Sequence, residues 1–397
     1  MEALLDINWL EWGTMVLRWL HVITAIAWIG ASFYFIWLDL SLKEPGPARR
    51  EEGLGGELYA IHGGGIYQVG KYTSHPAQMP ERLHWFKWEA YSTWLTGSAL
   101  LIVIYYFRAD AYLVGANLWV ETPGAAIVAS VVYLLAGLGL YEILMRTVAH
   151  KVWIQHVGTL VIVAVLSYLA FQLFTPRAAI LHVGAALATM MAANVFLVII
   201  PSQKAFVAAI DAGTTVDPAL PANAKKRSTH NNYLTLPVLF CMLSNHSAFV
   251  YSHPNAWIFV VAFSCVAALA RHYFNVKHTG RDQPMILVVA ALLFVVLVAI
   301  NQVSRPSASV DTTAQLDMAQ VGHVVQTHCY NCHAAEPTAA GLTAPPGGMI
   351  FAEPPQLLVY REQALSSLNT QFMPLGNLTG MSDAERALLV QYLETAP

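Results

Sequence analysis

Long apolar runs separated by short polar connections fill the first three hundred residues. Eight stretches of mostly apolar residues recur, at roughly 15–38, 89–107, 124–145, 153–174, 179–200, 234–252, 256–273 and 285–303. About twenty such residues are what a helix needs to cross the hydrocarbon core of a bilayer. After Val303 the pattern changes. Ser304-Arg305-Pro306-Ser307-Ala308-Ser309 opens a short polar linker, taken as 304–312, and 313–397 reads as a small soluble domain. Its last helix starts at a capping box, Ser382 to Glu385, and runs to about Leu393. The expected fold is all-α, a polytopic eight-helix transmembrane bundle over 1–303 followed by a compact C-terminal domain.

Composition supports the membrane assignment. Hydrophobic residues make up 56% of the 397 and charged residues only 11%, where soluble domains carry about 25%. A soluble globular enzyme is therefore excluded for most of the chain. With 21 Lys+Arg against 24 Asp+Glu there is no basic surplus for phosphates, so no nucleic acid partner is expected; membrane lipid is. Fifteen lysines and arginines fall in the odd-numbered loops, and only Arg108 and Arg177 in the even ones. By the positive-inside rule the odd loops face the cytoplasm and both termini the other side. Glu2, Asp6 and Glu11 stand where a signal peptide would be basic, so the first apolar stretch reads as a permanent helix.

Of the four cysteines, Cys241 and Cys265 lie within expected spans and read as small buried hydrophobes. The other two form Cys329-Tyr330-Asn331-Cys332-His333, a run that reads as c-type haem attachment. The spacing puts two thiols on one turn, each able to add to a haem vinyl, and the adjacent imidazole reaches the iron. A second axial ligand is expected from Met373, in the extended loop Phe372-Met373-Pro374-Leu375-Gly376, ahead of Met349 and Met381. Zinc binding or thiol redox chemistry would need partner ligands; the tail's remaining histidines, His323 and His328, precede the motif on its own helix. The soluble domain is thus expected to be a class I cytochrome c with one covalent haem c held by Cys329, Cys332, His333 and Met373, a high-potential one-electron carrier. Haem is attached to this motif outside the cytoplasm, in agreement with the charge count.

Ionisable residues within a membrane are functional candidates by default, and the chain has 15 histidines. His62, His75, His84, His150, His156, His230, His272 and His278 sort to the cytoplasmic side, and His21, His182, His246 and His253 to the outer side. At about 1.5 Å per residue, His21, His182 and His246 share one depth beneath the tail. They are the candidate ligands of a second redox centre, a haem b; a core histidine hydrogen-bonded to a neighbour is the plainer alternative for each. Arg18 shares the face of His21 and would meet a propionate or an anionic substrate, or simply snorkel. In the first loop three glycines follow His62, allowing close backbone approach. The run His84-Trp85-Phe86-Lys87-Trp88-Glu89 leads into the second span. This loop is too aromatic for a disordered linker. Glu142 and Arg146, spaced i, i+4, read as a structural ion pair.

Taken together, His62-Gly63-Gly64-Gly65-Ile66-Tyr67, His84-Trp85-Phe86-Lys87-Trp88-Glu89-Ala90-Tyr91, His230-Asn231-Asn232-Tyr233, Met242-Leu243-Ser244-Asn245-His246 and Met373-Pro374-Leu375-Gly376-Asn377-Leu378-Thr379-Gly380-Met381 resemble the membrane-bound, cytochrome c-containing urate oxidase (urate hydroxylase) family over essentially the whole chain. The first span is also similar to membrane protoporphyrinogen oxidase and copper-resistance families. In the former, a histidine at the place of His21 is associated with b-haem. The urate oxidase resemblance implies oxidation of urate to 5-hydroxyisourate, with electrons passed through the tail haem to a respiratory-chain acceptor such as soluble cytochrome c or a terminal oxidase. Dioxygen would not be the direct oxidant. It also implies a bacterial inner-membrane protein with N-terminus and cytochrome periplasmic. Urate must lose two electrons and a proton while a c-haem takes one electron at a time, so a second haem would help divide the work. A planar anion wants aromatic stacking, a cation and a base: His62, Lys87, Trp88 and Glu89 are the cytoplasmic candidates, Arg18, His21 and His182 the outer ones. Two other readings remain, a membrane-anchored electron-transfer cytochrome c subunit and a quinol or porphyrinogen oxidoreductase.

Overall fold

The computed structural model describes residues 9–115, 118–148, 151–251, 253, 255–303, 316–339, 342, 344–369, 372–377 and 379–396. The expected linker, His150 and the residues before Trp9 lie outside the described residues. Eight helices form the first body: α1 (Trp9–Ser41), α2 (Trp88–Leu100), α3 (Pro123–Thr147), α4 (Val152–Leu173), α5 (Pro176–Asp211), α6 (Ala219–Ser244), α7 (Ala256–His278) and α8 (Pro284–Val303). Six of them, α1, α3, α4, α5, α7 and α8, are long and apolar enough to cross a membrane. The other two expected spans are helical but fall short of that standard. α2 has 13 residues and is prolonged only by a π-turn at Leu101–Tyr106. α6 has 26 residues but opens with the polar run Asn223-Ala224-Lys225-Lys226-Arg227. The stretch expected to run continuously over 234–252 breaks at Asn245, before a one-turn helix at Ala248–Tyr251.

α5 is the axis of the bundle. In its most apolar window 56% of residues are buried, against none in the corresponding window of α1, and it packs on α2, α3, α4, α6 and α7. Its small residues Ala178, Ala179, Gly184 and Ala186 let those neighbours approach closely. At Gly184 an added Cβ would stand 2.8 Å from Cys241 Cβ. Large apolar side chains crowd the outer surfaces of α1 and α8, the exterior expected of helices that face lipid.

The first loop contains a β-hairpin. β1 (Leu54–His62) pairs antiparallel with β2 (Gly65–Tyr72), His62 facing Gly65. Gly63 and Gly64 have φ of +58° and +81°, the two left-handed positions of a type I′ turn. The glycines after His62 therefore serve a tight turn, and His62 stands exposed at its tip. Asp39 at the end of α1 joins the hairpin to α6 through ion pairs with Lys71 and Lys225. This end of the bundle, with its basic loops, is called the hairpin end.

The described residues from Leu316 onward have a hydrophobic core of their own, built on Val321, Val324 and Val325 of α9 (Met318–His328) and Leu389, Val390 and Leu393 of α10 (Asp383–Thr395). α10 begins with the expected capping box, Ser382 and Glu385 bonding reciprocally. Phe372 of this tail packs against the bundle core and lies edge-on to Tyr251, with ring centroids 6.2 Å apart. Leu375–Asn377 meets the one-turn helix Ala109–Tyr112. The tail thus sits at the end opposite the hairpin.

The expected ion pair of Glu142 with Arg146 is present at 3.3 Å, but it is the weaker of two. Arg227 grips Glu142 bidentately at 2.7 and 2.9 Å, with side chains 5% and 13% exposed, while the Arg146 side chain is 72% exposed. Removing one partner of a buried pair costs about 3–5 kcal/mol, whereas an exposed pair is worth about 1 kcal/mol or less. Glu142→Ala is expected to lower the melting temperature of the purified protein sharply and Arg146→Ala to leave it nearly unchanged. Equal effects of the two would refute this ranking.

Candidate functional site

A cavity of about 490 Å³ lies between α1, α2, α5 and α6. Arg18, His21, Arg177, Asn245 and His246 stand toward its tail end, and Ser32, Met191 and Thr235 close the other. His21 is held against α2. Its Nδ1 lies 3.1 Å from the Thr93 carbonyl oxygen and 3.1 Å from Thr96 Oγ1. A carbonyl only accepts, so Nδ1 carries the proton and Nε2 keeps a lone pair. Gly97 makes room for the ring: a Cβ there would stand 2.9 Å from His21 Cε1. Arg177 Nε donates to Asn245 Oδ1 at 2.7 Å, and Tyr105 donates to the same oxygen at 3.1 Å.

The three histidines expected at one depth do not converge. His21 and His246 line the cavity and His182 does not. His182 is fully buried; its Nδ1 donates to Ala178 O at 2.7 Å and its Nε2 accepts from Ser130 Oγ at 2.7 Å. Its ring stacks on Phe174 with centroids 4.1 Å apart. With both nitrogens taken, His182 is a packed core residue with no nitrogen free to hold a haem b. Arg18, exposed, is at the cavity mouth. Arg177 was counted only as a loop charge, yet it is half-buried and reaches the same cavity.

The hairpin-end candidates are also dispersed. Trp88 is 65% exposed, and the Lys87 ammonium lies 5.9 Å from its ring centroid. Phe86 packs edge-on to Phe35 and His84. Glu89 points inward, its Oε2 buried without a hydrogen-bond partner among the described residues.

A buried polar network that sequence reasoning did not assemble occupies this half of the bundle. Arg227 also donates to Asn194 Oδ1 at 2.8 Å. Asn194 donates to Tyr141 OH and Asn231 Oδ1, and Asn231 to the Met191 carbonyl. Beside it, Asn232 Oδ1 accepts from Arg271 Nε at 2.9 Å and Asn275 Nδ2 at 3.0 Å. Asn232 Nδ2, Arg271 Nη2 and Asn275 Oδ1 are buried without partners among the described residues, and each such orphan costs about 1–3 kcal/mol. The two adjacent asparagines just ahead of the span expected at 234–252 were the available signal.

In the tail, Cys329 and Cys332 are free thiols on one turn, where His333 N donates to Cys329 O at 2.9 Å. Burial pushes the Cys329 thiol up to about 11. It also raises Cys332, against an opposing pull from Arg108 of the bundle. Among the described residues no three His, Cys, Asp or Glu side chains gather as a metal cage. His333 is 7% exposed and its Nδ1 donates to Met349 O at 2.9 Å, leaving Nε2 as at His21. Met381 is buried in the tail core and Met349 packs against it; Met373 belongs to neither core. Its backbone is tied down by Ser367 O and by Arg386 Nη1. The two thiols, His333 Nε2 and Met373 fit a covalently attached haem.

A family model described as urate oxidase N-terminal matches residues 7–302. The chain belongs to the urate oxidase N-terminal family. Its match ends before the tail begins, so the eight-helix body is the family's part. No curated protein and no solved structure matches the chain.

Hydrogen bonds from Ser382 hold the Glu385 carboxyl down to about 2 from its ordinary 4.5. A depressed carboxylate contributes stability in full above its unfolded value and loses it as pH falls through the folded one. The tail should therefore lose stability between about pH 4.5 and 2 in a manner that Glu385→Gln flattens. Parallel acid titrations of both proteins by circular dichroism would decide this, coincident curves counting against it.

Proposed function

We propose that this chain oxidises urate to 5-hydroxyisourate in its eight-helix body and delivers the electrons to a c-type haem in its C-terminal tail. The observation that carries the reading is membership of the urate oxidase N-terminal family over residues 7–302, joined in one chain to a Cys-x-x-Cys-His turn docked on that body. The conversion takes two electrons from urate and one oxygen from water, releasing two protons, so an electron acceptor is required. Haem held by Cys329, Cys332, His333 and Met373 supplies a one-electron acceptor of high potential. The chain's own part is to fix the imidazole through the Met349 carbonyl and to pin the Met373 loop through Ser367 and Arg386. A respiratory-chain acceptor, soluble cytochrome c or a terminal oxidase, then takes the electrons onward.

Two further elements complete the reading. α2 with its π-turn and α6 cross the membrane with the six apolar helices, tail end periplasmic, as the basic loops at the hairpin end favour. The cavity beneath the tail suits a second redox group, a haem b with His21 as ligand and His246 as the other candidate. His21 has the arrangement common among metal-bound histidines, one nitrogen donating to a carbonyl and the other unoccupied. A quinol oxidase would use the same cavity; the family favours urate.

Anaerobic urate added to the haem-loaded protein is expected to reduce the tail haem, with no reduction by quinol. Cys329→Ala with Cys332→Ala should abolish covalent haem. Met373→Ala should keep the haem attached and lower its potential. Gly97→Ala, which crowds His21, should alter only a b-type spectrum. A tail haem that stays oxidised with urate present would sink the proposal.

A further inference from the structure

Away from the polar groups at its tail end, the cavity beneath the tail is a poor place for a small polar anion. That part of the wall is mostly Val, Ile, Leu, Ala and Met, and ring oxygens and N–H groups would lie there without partners. One helical turn beyond its far end the chemistry reverses. Thr235 and Ser32 close the cavity; Asn232 is three residues from the first, and Phe33 is next to the second. There Arg271 is 5% exposed, Asn232 0% and Asn275 7%.

Arg271 differs from the other buried arginine of this half. Arg227 has Glu142; among the described residues Arg271 makes no ion pair and its Nη2 has no partner. Its guanidinium stacks on Phe33, 3.9 Å from the ring centroid, and its Nε is tied to Asn232, so the fork cannot swing away. An unpaired buried cation is strongly unfavourable unless an anion joins it. The other orphans match: Asn232 Nδ2 is a second donor and Asn275 Oδ1 an acceptor.

The geometry points to Asn232, Arg271 and Asn275 as the binding site for a small planar anion, the oxidisable substrate itself. A urate anion offers this set what it lacks. Its carbonyl edge accepts from Arg271 Nη2 and Asn232 Nδ2, and a ring N–H donates to Asn275 Oδ1. The bidentate fork suits such an edge better than a lysine would. The site would lie at the hairpin end, with the cavity between it and the tail. This rests on the reading of the chain as a urate-oxidising enzyme.

The test uses the full-length, haem-loaded protein in lipid nanodiscs, with urate affinity from equilibrium dialysis and melting temperature with and without urate. Wild type should melt higher with urate. Arg271→Gln should bind urate about 10- to 100-fold more weakly and lose that rise, while its ligand-free melting temperature does not fall. Arg271→Lys should recover only part of the affinity, and Asn275→Ala should weaken binding several-fold. In every variant dithionite should still reduce the tail haem. Wild-type affinity in both Arg271→Gln and Asn275→Ala overturns the site and leaves urate oxidation standing. So does a lower ligand-free melting temperature with unchanged affinity, which would mark a water-filled structural core. If wild type ignores urate but binds xanthine in an Arg271-dependent way, the site stands and the urate reading falls. Binding of neither removes both.

Discussion

The bidentate pair of Glu142 and Arg227 is the contact on which the interior of the bundle turns. An apolar surrounding has no water to satisfy a stray polar group, so α6, with arginine, histidine and asparagines along its inner face, can sit in the middle only if its neighbours answer most of them. α3 answers Arg227 with Glu142, and α5 answers Arg227 and Asn231 with Asn194. The network thereby fixes how α3, α5 and α6 are rotated about their own axes. The small-residue face of α5 then packs against what remains.

Periodicity and hydropathy carried most of this architecture. The helices stand close to where apolar runs place them, and the tail folds on the helices that frame its Cys-x-x-Cys-His turn. What did not carry is direction around a helix. A residue count puts His21, His182 and His246 at one depth but cannot say which way each faces: His182 faces Ser130 and Phe174 while His21 faces the cavity. The hairpin is hard to see in the sequence because glycines after a histidine look equally like room for a ligand and like the two positive-φ positions of a tight turn. Glu142 was paired with its neighbour four residues on, since the better partner lies 85 residues away. Asn232, Arg271 and Asn275 belong to two helices, and nothing local to either announces the meeting.

His21 and His333 solve one problem twice. Each gives its Nδ1 proton to a backbone carbonyl, fixing tautomer and ring orientation together, and each keeps Nε2 uncommitted. Between them lies the docked surface where Phe372, the residue beside Met373, meets Tyr251. The loop that carries Met373 is thus seated partly by the bundle, and the two bodies share its ordering.

The π-turns at Leu101–Tyr106 and Asn194–Ile199 have a consequence beyond local shape. A π-turn takes in one extra residue, which advances everything after it by about 100° around the axis. In α5 the residues before Asn194 that face the cavity, Leu181, Ala185 and Ala188, and the later ones are therefore phased independently. One helix can line a greasy chamber along half its length and close a polar network at the turn itself. The reading frame of side chains along α5 is set by a single residue count, so losing one residue between 194 and 199 would turn every later side chain to the wrong neighbour, a greater injury than exchanging any one of them.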